Sequence, residues 1–226
     1  MKRYVLETDK YIIEEHYGIK TTSEAYLEPN YNVMAGHTMP IIIQTDNGKG
    51  LISSTWGLKL EGSDQQITSV QQDDVQEDET FMKLIRTSPC IVPASGFYKW
   101  KETVEDPLPF YIRFLTDEVF SIPGFYSSWK DEKGQTYHSF ALLTMDANPL
   151  IQPLDDSMPC ILEPSAYDQW LNGHGNELLE NGFKGEPLMV NMAVVRVPEL
   201  VNDPSNNGKE LIQPIPKLRN YDLEEE

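Results

Sequence analysis

The apolar positions of the chain fall into short runs separated by polar stretches. Most runs show the alternation or β-branched density of strands rather than the three-to-four spacing of helices. Met39-Pro40-Ile41-Ile42-Ile43-Gln44-Thr45 is such a run, and it ends at Asp46-Asn47-Gly48, a good tight turn. Residues 51–58, with Trp56, are predicted to pair back on it. Residues 90–100 read as mixed strand and turn, 110–114 and 119–122 as the two arms of a hairpin, and 139–145, 158–162 and 190–197 as further strands. Helical signals are fewer. Tyr11, Ile12, Ile13 and His16 follow helical spacing behind Thr8, a candidate N-cap. A polar, acidic loop over 65–79 precedes a predicted helix at 80–87, and the start of 146–156 suits a short capped helix. Pro164-Ser165-Ala166 opens a helix through Trp170 that Asn172-Gly173 closes, and 176–180 adds a helical turn. Residues 221–226 end in three glutamates and are expected to fray. No repeat and no long internal linker is visible, so the pattern predicts an α+β fold with a largely antiparallel sheet.

Composition sharpens this picture. The 226 residues suit one domain, and 39% hydrophobic with 10% aromatic residues excludes a disordered or low-complexity chain. The net charge of −18 opposes non-specific binding to nucleic acid or to anionic membranes, while leaving room for a local basic groove. No stretch approaches the ~20 apolar residues of a membrane span. Met1-Lys2-Arg3-Tyr4 leads into no apolar run with a cleavage site. Cys90 and Cys160 lie in apolar stretches and are expected to be reduced and buried. A cytoplasmic location and no membrane partner are expected.

Chemical signatures are sparse. The chain has no phosphate-binding glycine loop, no His-Glu-x-x-His and no Cys-x-x-Cys. His16, His37, His138 and His174 are scattered without a second ligand at useful spacing, so no metal and no cofactor are expected. Ser95 lacks the glycine-flanked elbow of a nucleophilic serine and reads as a turn residue. Asp155-Asp156 is either a carboxylate pair or a solvated turn, and composition favours the turn. Phe97, Tyr98, Trp100, Phe125, Tyr126 and Trp129 can stack on bases, but strand spacing favours the core.

Four segments, in order, resemble the SRAP family (SOS response-associated peptidase, an abasic-site-sensing fold). They are Tyr31-Asn32-Val33-Met34-Ala35 with Pro40; Trp56-Gly57-Leu58; Cys90-Ile91-Val92-Pro93-Ala94-Ser95-Gly96-Phe97-Tyr98-Lys99-Trp100; and Phe140 to Thr144, Ala147-Asn148, Pro153 to Leu162 and Tyr167-Asp168-x-Trp170-Leu171. A late match runs from Asn206-Asn207-Gly208 to Pro214. The resemblance implies an SRAP fold, with a largely antiparallel sheet or barrel-like core and flanking helices, as a single domain over 1–220. It also implies a family role: capturing abasic sites in single-stranded DNA. There, an exposed N-terminal Cys forms a Schiff base through its amine and closes a thiazolidine through its thiol.

This sequence departs from that reactive set. Aligning the family's Cys-Gly-Arg-Tyr on Arg3-Tyr4 puts Met1 at the Cys position and Lys2 at the Gly, and a thioether cannot act as the thiol nucleophile. Lys2 also disfavours removal of Met1. The family's glutamate becomes Lys99, its catalytic histidine becomes Asp155, its asparagine falls on Ser69, and its arginine falls on Gln71 beside Asp73 and Asp74. Lys99 and Asp155 are expected to lie close, since their counterparts share one site. Arg3 and Asn32 match the family at pocket positions and serve either a ligand pocket or the hydrogen bonding of the fold. Pro93, Gly96, Trp100 and Pro159 are read as keeping the fold.

The leading expectation is therefore a divergent, crosslink-incompetent member, a non-catalytic scaffold binding an unknown protein or small molecule in the old groove, with abasic single-stranded DNA a weaker expectation. The alternative is a residual Schiff-base former or lyase using the amines of Met1, Lys2 or Lys99. The third is the self-processing peptidase of the family's name, disfavoured because Met1 occupies the Cys position with nothing before it to remove.

Overall fold

A computed structural model describes residues 1–20, 28–60, 65–116, 119–130 and 133–216. The predicted frayed tail, 221–226, lies outside the described residues. In chain order the elements are β1 (Tyr4–Leu6), α1 (Lys10–Tyr17), β2 (Asn30–Val33), β3 (Thr38–Thr45), β4 (Gly48–Trp56), β5 (Leu58–Lys59), β6 (Gln66–Ile67), β7 (Ser69–Gln71), α2 (Gln72–Glu77), α3 (Glu79–Thr87) and β8 (Pro89–Ala94). They continue with β9 (Gly96–Lys101), β10 (Leu108–Phe114), β11 (Phe120–Lys130), β12 (Thr136–Asp146), β13 (Ser157–Pro159), α4 (Tyr167–Leu171), α5 (Gly175–Asn181) and β14 (Met192–Arg196). Short 3-10 turns connect the later elements.

The sheet that organises the molecule closes on itself. Strands pair in the order β11, β8, β3, β4, β12, and β12 pairs back on β11, which makes a five-stranded barrel. Its strands carry apolar residues on both faces because one face fills the barrel and the other is covered. Ile41 and Ile42 of β3, and Phe140, Ala141, Leu142 and Leu143 of β12, are fully buried. All these pairings are antiparallel except β12 with β4. Gly124 stands where β11 meets β12, and an added Cβ there would lie 2.4 Å from the Ala141 carbonyl oxygen. Two tryptophans lock other elements to the barrel: Trp56 Nε1 donates to the Thr68 carbonyl at 2.8 Å, and Trp170 Nε1 to the Cys90 carbonyl at 2.9 Å. A second, antiparallel sheet runs β14-β10-β9-β1-β2. The α+β, largely antiparallel reading is what the structure has. Both cysteines are free and buried. Among the described residues no helix is long and apolar enough to cross a membrane.

Several local expectations are corrected. Residues 110–114 and 119–122 are not a hairpin, since β10 joins the second sheet and β11 the barrel. Just past β10 the Leu115 amide donates to the Asn191 carbonyl at 2.8 Å. The apolar pattern marks both segments as strands but not which partner each takes. The stretch 65–79 is not a loop. It contains β6, β7 and α2, with β7 parallel to β12 through Leu142↔Ser69 and Thr144↔Gln71. Long-range pairing supplies there what local hydrophobicity lacks. Asp9, not Thr8, caps α1, its carboxylate accepting from the Tyr11 and Ile12 amides at 2.9 and 3.2 Å. The start of 146–156 is a turn rather than a helix, with Asn148 Oδ1 accepting from the Leu150 and Ile151 amides.

Gly96 opens β9 against Tyr111 of β10, and an added Cβ would stand 2.2 Å from that ring, itself only 2% exposed. Gly96→Ala is expected to lower the unfolding free energy by about 1–3 kcal/mol through overpacking. Urea denaturation reads this as a lower midpoint at an unchanged slope.

Candidate functional site

Met1, Ser69, Lys99 and Asp155 come from four separate segments: the residue leading into β1, the first residue of β7, the middle of β9, and the turn before β13. The fold brings them together. The α-amino group of Met1 donates to Ser69 Oγ at 3.0 Å. Lys99 Nζ lies 3.0 Å from Asp155 Oδ1 and donates to Ser157 Oγ at 3.2 Å. Asp155 Oδ1 also accepts from the Ser157 amide and hydroxyl, both at 2.9 Å. Of the Asp155-Asp156 alternatives, Asp155 therefore has a specific partner, a lysine, while no carboxylate pair forms.

Burial decides the electrostatics. Lys99 is 3% exposed and Asp155 36%. Burial pushes the Lys99 ammonium below its usual value, while the hydrogen bond and charge of Asp155 oppose the shift. Burial alone pushes the Asp155 carboxyl up, but the Ser157 amide and the Lys99 ammonium reverse this, and it ends below the ordinary range. The Met1 amine is lowered to about 6, chiefly by burial and next by the positive charge of Lys99, with Asp155 pulling the other way. Burial above all, with the Lys99 charge next, holds the amino terminus largely as free base near neutral pH.

The amine opens on a cavity of about 530 Å³ bordered by Ser69, Gln71, Asp74, Phe81 and Ser157. Gln71 donates to Asp146 Oδ1 at 3.1 Å, and its buried Oε1 has no partner. On the other side of Asp155 a hollow of about 430 Å³ is bordered by Lys2, Trp100 and Asp156. Ser157 and Phe81 are site residues that the sequence reading missed. The spacing Asp155-x-Ser157 is the signal for the first, because a carboxylate readily accepts from the amide two residues on. The second has no such local signature.

Arg3 and Asn32 sit together in a different network. Arg3 donates to Asn32 Oδ1 at 3.1 Å, to the Asn202 carbonyl at 3.1 Å and to the Val201 carbonyl, and its guanidinium stacks 5.6 Å from the centroid of Trp100. Asn32, 1% exposed, donates to the carbonyls of Asn206 and Asp203 at 2.9 and 3.2 Å. The pair thus spends its hydrogen bonds on pinning the segment 201–206. Among the described residues no three His, Cys, Asp or Glu side chains are disposed to hold a metal ion.

A family model described as SOS response associated peptidase (SRAP) matches residues 2–204. Abasic site processing protein YoqW of Bacillus subtilis is 28% identical over 211 residues, covering 89% of this chain and 93% of that protein. Abasic site processing protein YedK of Escherichia coli is 24% identical over 188 residues, covering 82% and 84%. The crystal structure of a protein from Bacteroides thetaiotaomicron superposes with a TM-score of 0.83 at 22% identity, over 95% of this chain and 100% of that one.

Asp155→Asn is expected to leave the Lys99 charge buried without its carboxylate. Because Asp155 is a third exposed, the cost is about 1–3 kcal/mol rather than the full penalty of a wholly buried pair. The double variant K99M/D155N leaves no charge behind and should recover most of the loss. Urea midpoints of the two variants and the parent check both statements.

Proposed function

Because the chain belongs to the SOS response associated peptidase family, we propose that it processes abasic sites in single-stranded DNA, with the α-amino group of Met1 capturing the open-chain aldehyde as a reversible imine. The observation that carries this reading is a buried amino terminus hydrogen-bonded to Ser69 and lowered to about 6. At that value about nine-tenths of the amine is free base near pH 7, and only the free base attacks a carbonyl. The relatives' names as abasic site processing proteins supply the substrate class.

The step balances simply. The nitrogen lone pair forms a bond to the aldehyde carbon, giving a carbinolamine. The carbinolamine hydroxyl then leaves as water together with the nitrogen's remaining N–H proton, and a C=N bond results. Ser69 orients the nitrogen, and the Lys99–Asp155 pair supplies the local charge that favours a neutral amine. The family's second step, ring closure by a thiol, has no counterpart, since the Met1 side chain ends in a thioether. The imine stays hydrolysable, and the chain is crosslink-incompetent in that sense.

A second reading, a non-catalytic scaffold, is favoured by the neutral Gln71 and the acidic Asp74 bordering the cavity where a phosphate-binding arginine is implied.

Mixing the protein with single-stranded DNA carrying one abasic site, with and without borohydride, separates the readings on a denaturing gel. A covalent band only after reduction, mapped by mass spectrometry to the peptide bearing Met1, is the expected result. A band without reduction would mean a stable adduct and overturn the reversible imine. No band in either lane would select the scaffold.

The initial trapping rate should follow the free base, rising as pH increases and reaching half its plateau near pH 6 rather than near 8. A half-point near 8 would show that the amine is not perturbed and that the buried site is not the one reacting.

A further inference from the structure

The groups that act on the Met1 nitrogen carry more positive than negative charge. Lys99 and Lys2 act on it as cations and Asp155 as the opposing anion. Lys99 is 3% exposed and Asp155 36%, so solvent screens the negative partner more than the positive one. Asp74, a carboxylate at the rim of the cavity, is exposed and screened further. The local field is therefore positive at a nitrogen that is itself largely neutral near pH 7. An imine leaves this field uncompensated, because the nitrogen stays uncharged. A product that attaches a negative group to the nitrogen compensates it.

The hydrogen bonding suits an anion as well. Ser69 Oγ accepts from the amine at 3.0 Å, and its own hydroxyl proton has no acceptor among the described residues. An ammonium carries three protons. That of Lys99 directs one at Asp155 Oδ1, 3.0 Å away, and one at Ser157 Oγ, 3.2 Å away, which leaves a third. Ser157 borders the same cavity as Met1 and Ser69, so the lysine head lies one side chain from the space the amine opens on.

We propose that the Met1 amine is a carbon dioxide site, forming a carbamate whose carboxylate rests against Lys99, Lys2 and the Ser69 hydroxyl. The nitrogen lone pair bonds to the carbon of carbon dioxide, one C=O electron pair moves onto oxygen, and an N–H proton passes to water. The nitrogen keeps one N–H, and nothing is oxidised or reduced. Only a neutral amine reacts in this way, and the lowered Met1 amine meets that condition near pH 7, where solvent-exposed lysines do not. A carbamate nitrogen cannot form an imine, so carbon dioxide competes with an aldehyde for the amine. The inference uses the amine of the imine reading and needs no DNA.

Carbon NMR of the full chain in isotopically labelled bicarbonate near pH 7 is the measurement. Triethyloxonium trapping with mass spectrometry locates the adduct. The expected result is one carbamate resonance, saturable in dissolved carbon dioxide and mapped to the Met1 α-nitrogen. Lys99→Met should raise the half-saturating concentration about tenfold, through loss of the buried cation. Lys2→Glu, an exposed change that leaves the core untouched, should raise it about threefold. Lys209→Ala, at a different hollow, should leave it unchanged.

No resonance, or an adduct on a lysine Nζ in place of Met1, overturns the proposal. So does a Met1 carbamate whose half-saturation is the same in the Lys99 and Lys2 variants, since the cations would then not hold it. Borohydride trapping of abasic DNA separates this inference from the imine reading. A carbamate without trapping rejects the imine on DNA and leaves the carbon dioxide site standing. Trapping without a carbamate rejects the carbon dioxide site alone. Where both occur, the concentration that half-saturates the resonance should halve the initial trapping rate at low DNA. An unchanged rate contradicts a shared nitrogen and overturns the proposal.

Discussion

A lysine ammonium that is 3% exposed stays charged only if a carboxylate reaches it, and Asp155 does so at 3.0 Å. Much of the site's arrangement follows from that requirement. Asp155 is fixed in turn by the Ser157 amide and hydroxyl, so the turn before β13 is shaped around one oxygen atom. The pair then acts on a third group. With the positive partner deeper than the negative one, its net influence on the Met1 amine is to favour the neutral form, in the same direction as burial. Removing a charge pair from the protein interior is often harmless to stability. Its consequence here is chemical, because it adds to burial in lowering the amine that faces the cavity.

The fold was legible in the sequence where signals were either local or collective. The Ile41–Ile43 run and the apolar stretch 140–143 identified barrel strands by being buried on both faces. The ordered set of motifs, each weak by itself, identified the family. What escaped was pairing across long separations. Nothing within 65–71 distinguishes β6 and β7 from a polar loop, because Ser69 to Gln71 becomes a strand only by lying against Leu142 to Thr144. Residues 110–122 carried the right strand signal and the wrong partner for the same reason. At the site, Lys99 and Asp155 are in contact, as counterparts of one pocket should be, whereas Arg3 and Asn32 bond to the 201–206 segment, a partner that no local signal in the sequence announces. Trp129, 37% exposed, departs from the core expectation because alternation along β11 reports which face a residue takes, and does not report that the ribbon outruns the core.

The loss of a thiol changes what the rest of the surface must do. An imine beside water returns to aldehyde and amine, so residence on the lesion depends on how often the freed aldehyde is recaptured before the strand departs. Recapture is an effective-concentration effect, set by contacts that hold the strand while the covalent bond is open. A member that closes a ring needs little from such contacts once it has reacted. A member limited to the imine needs them throughout.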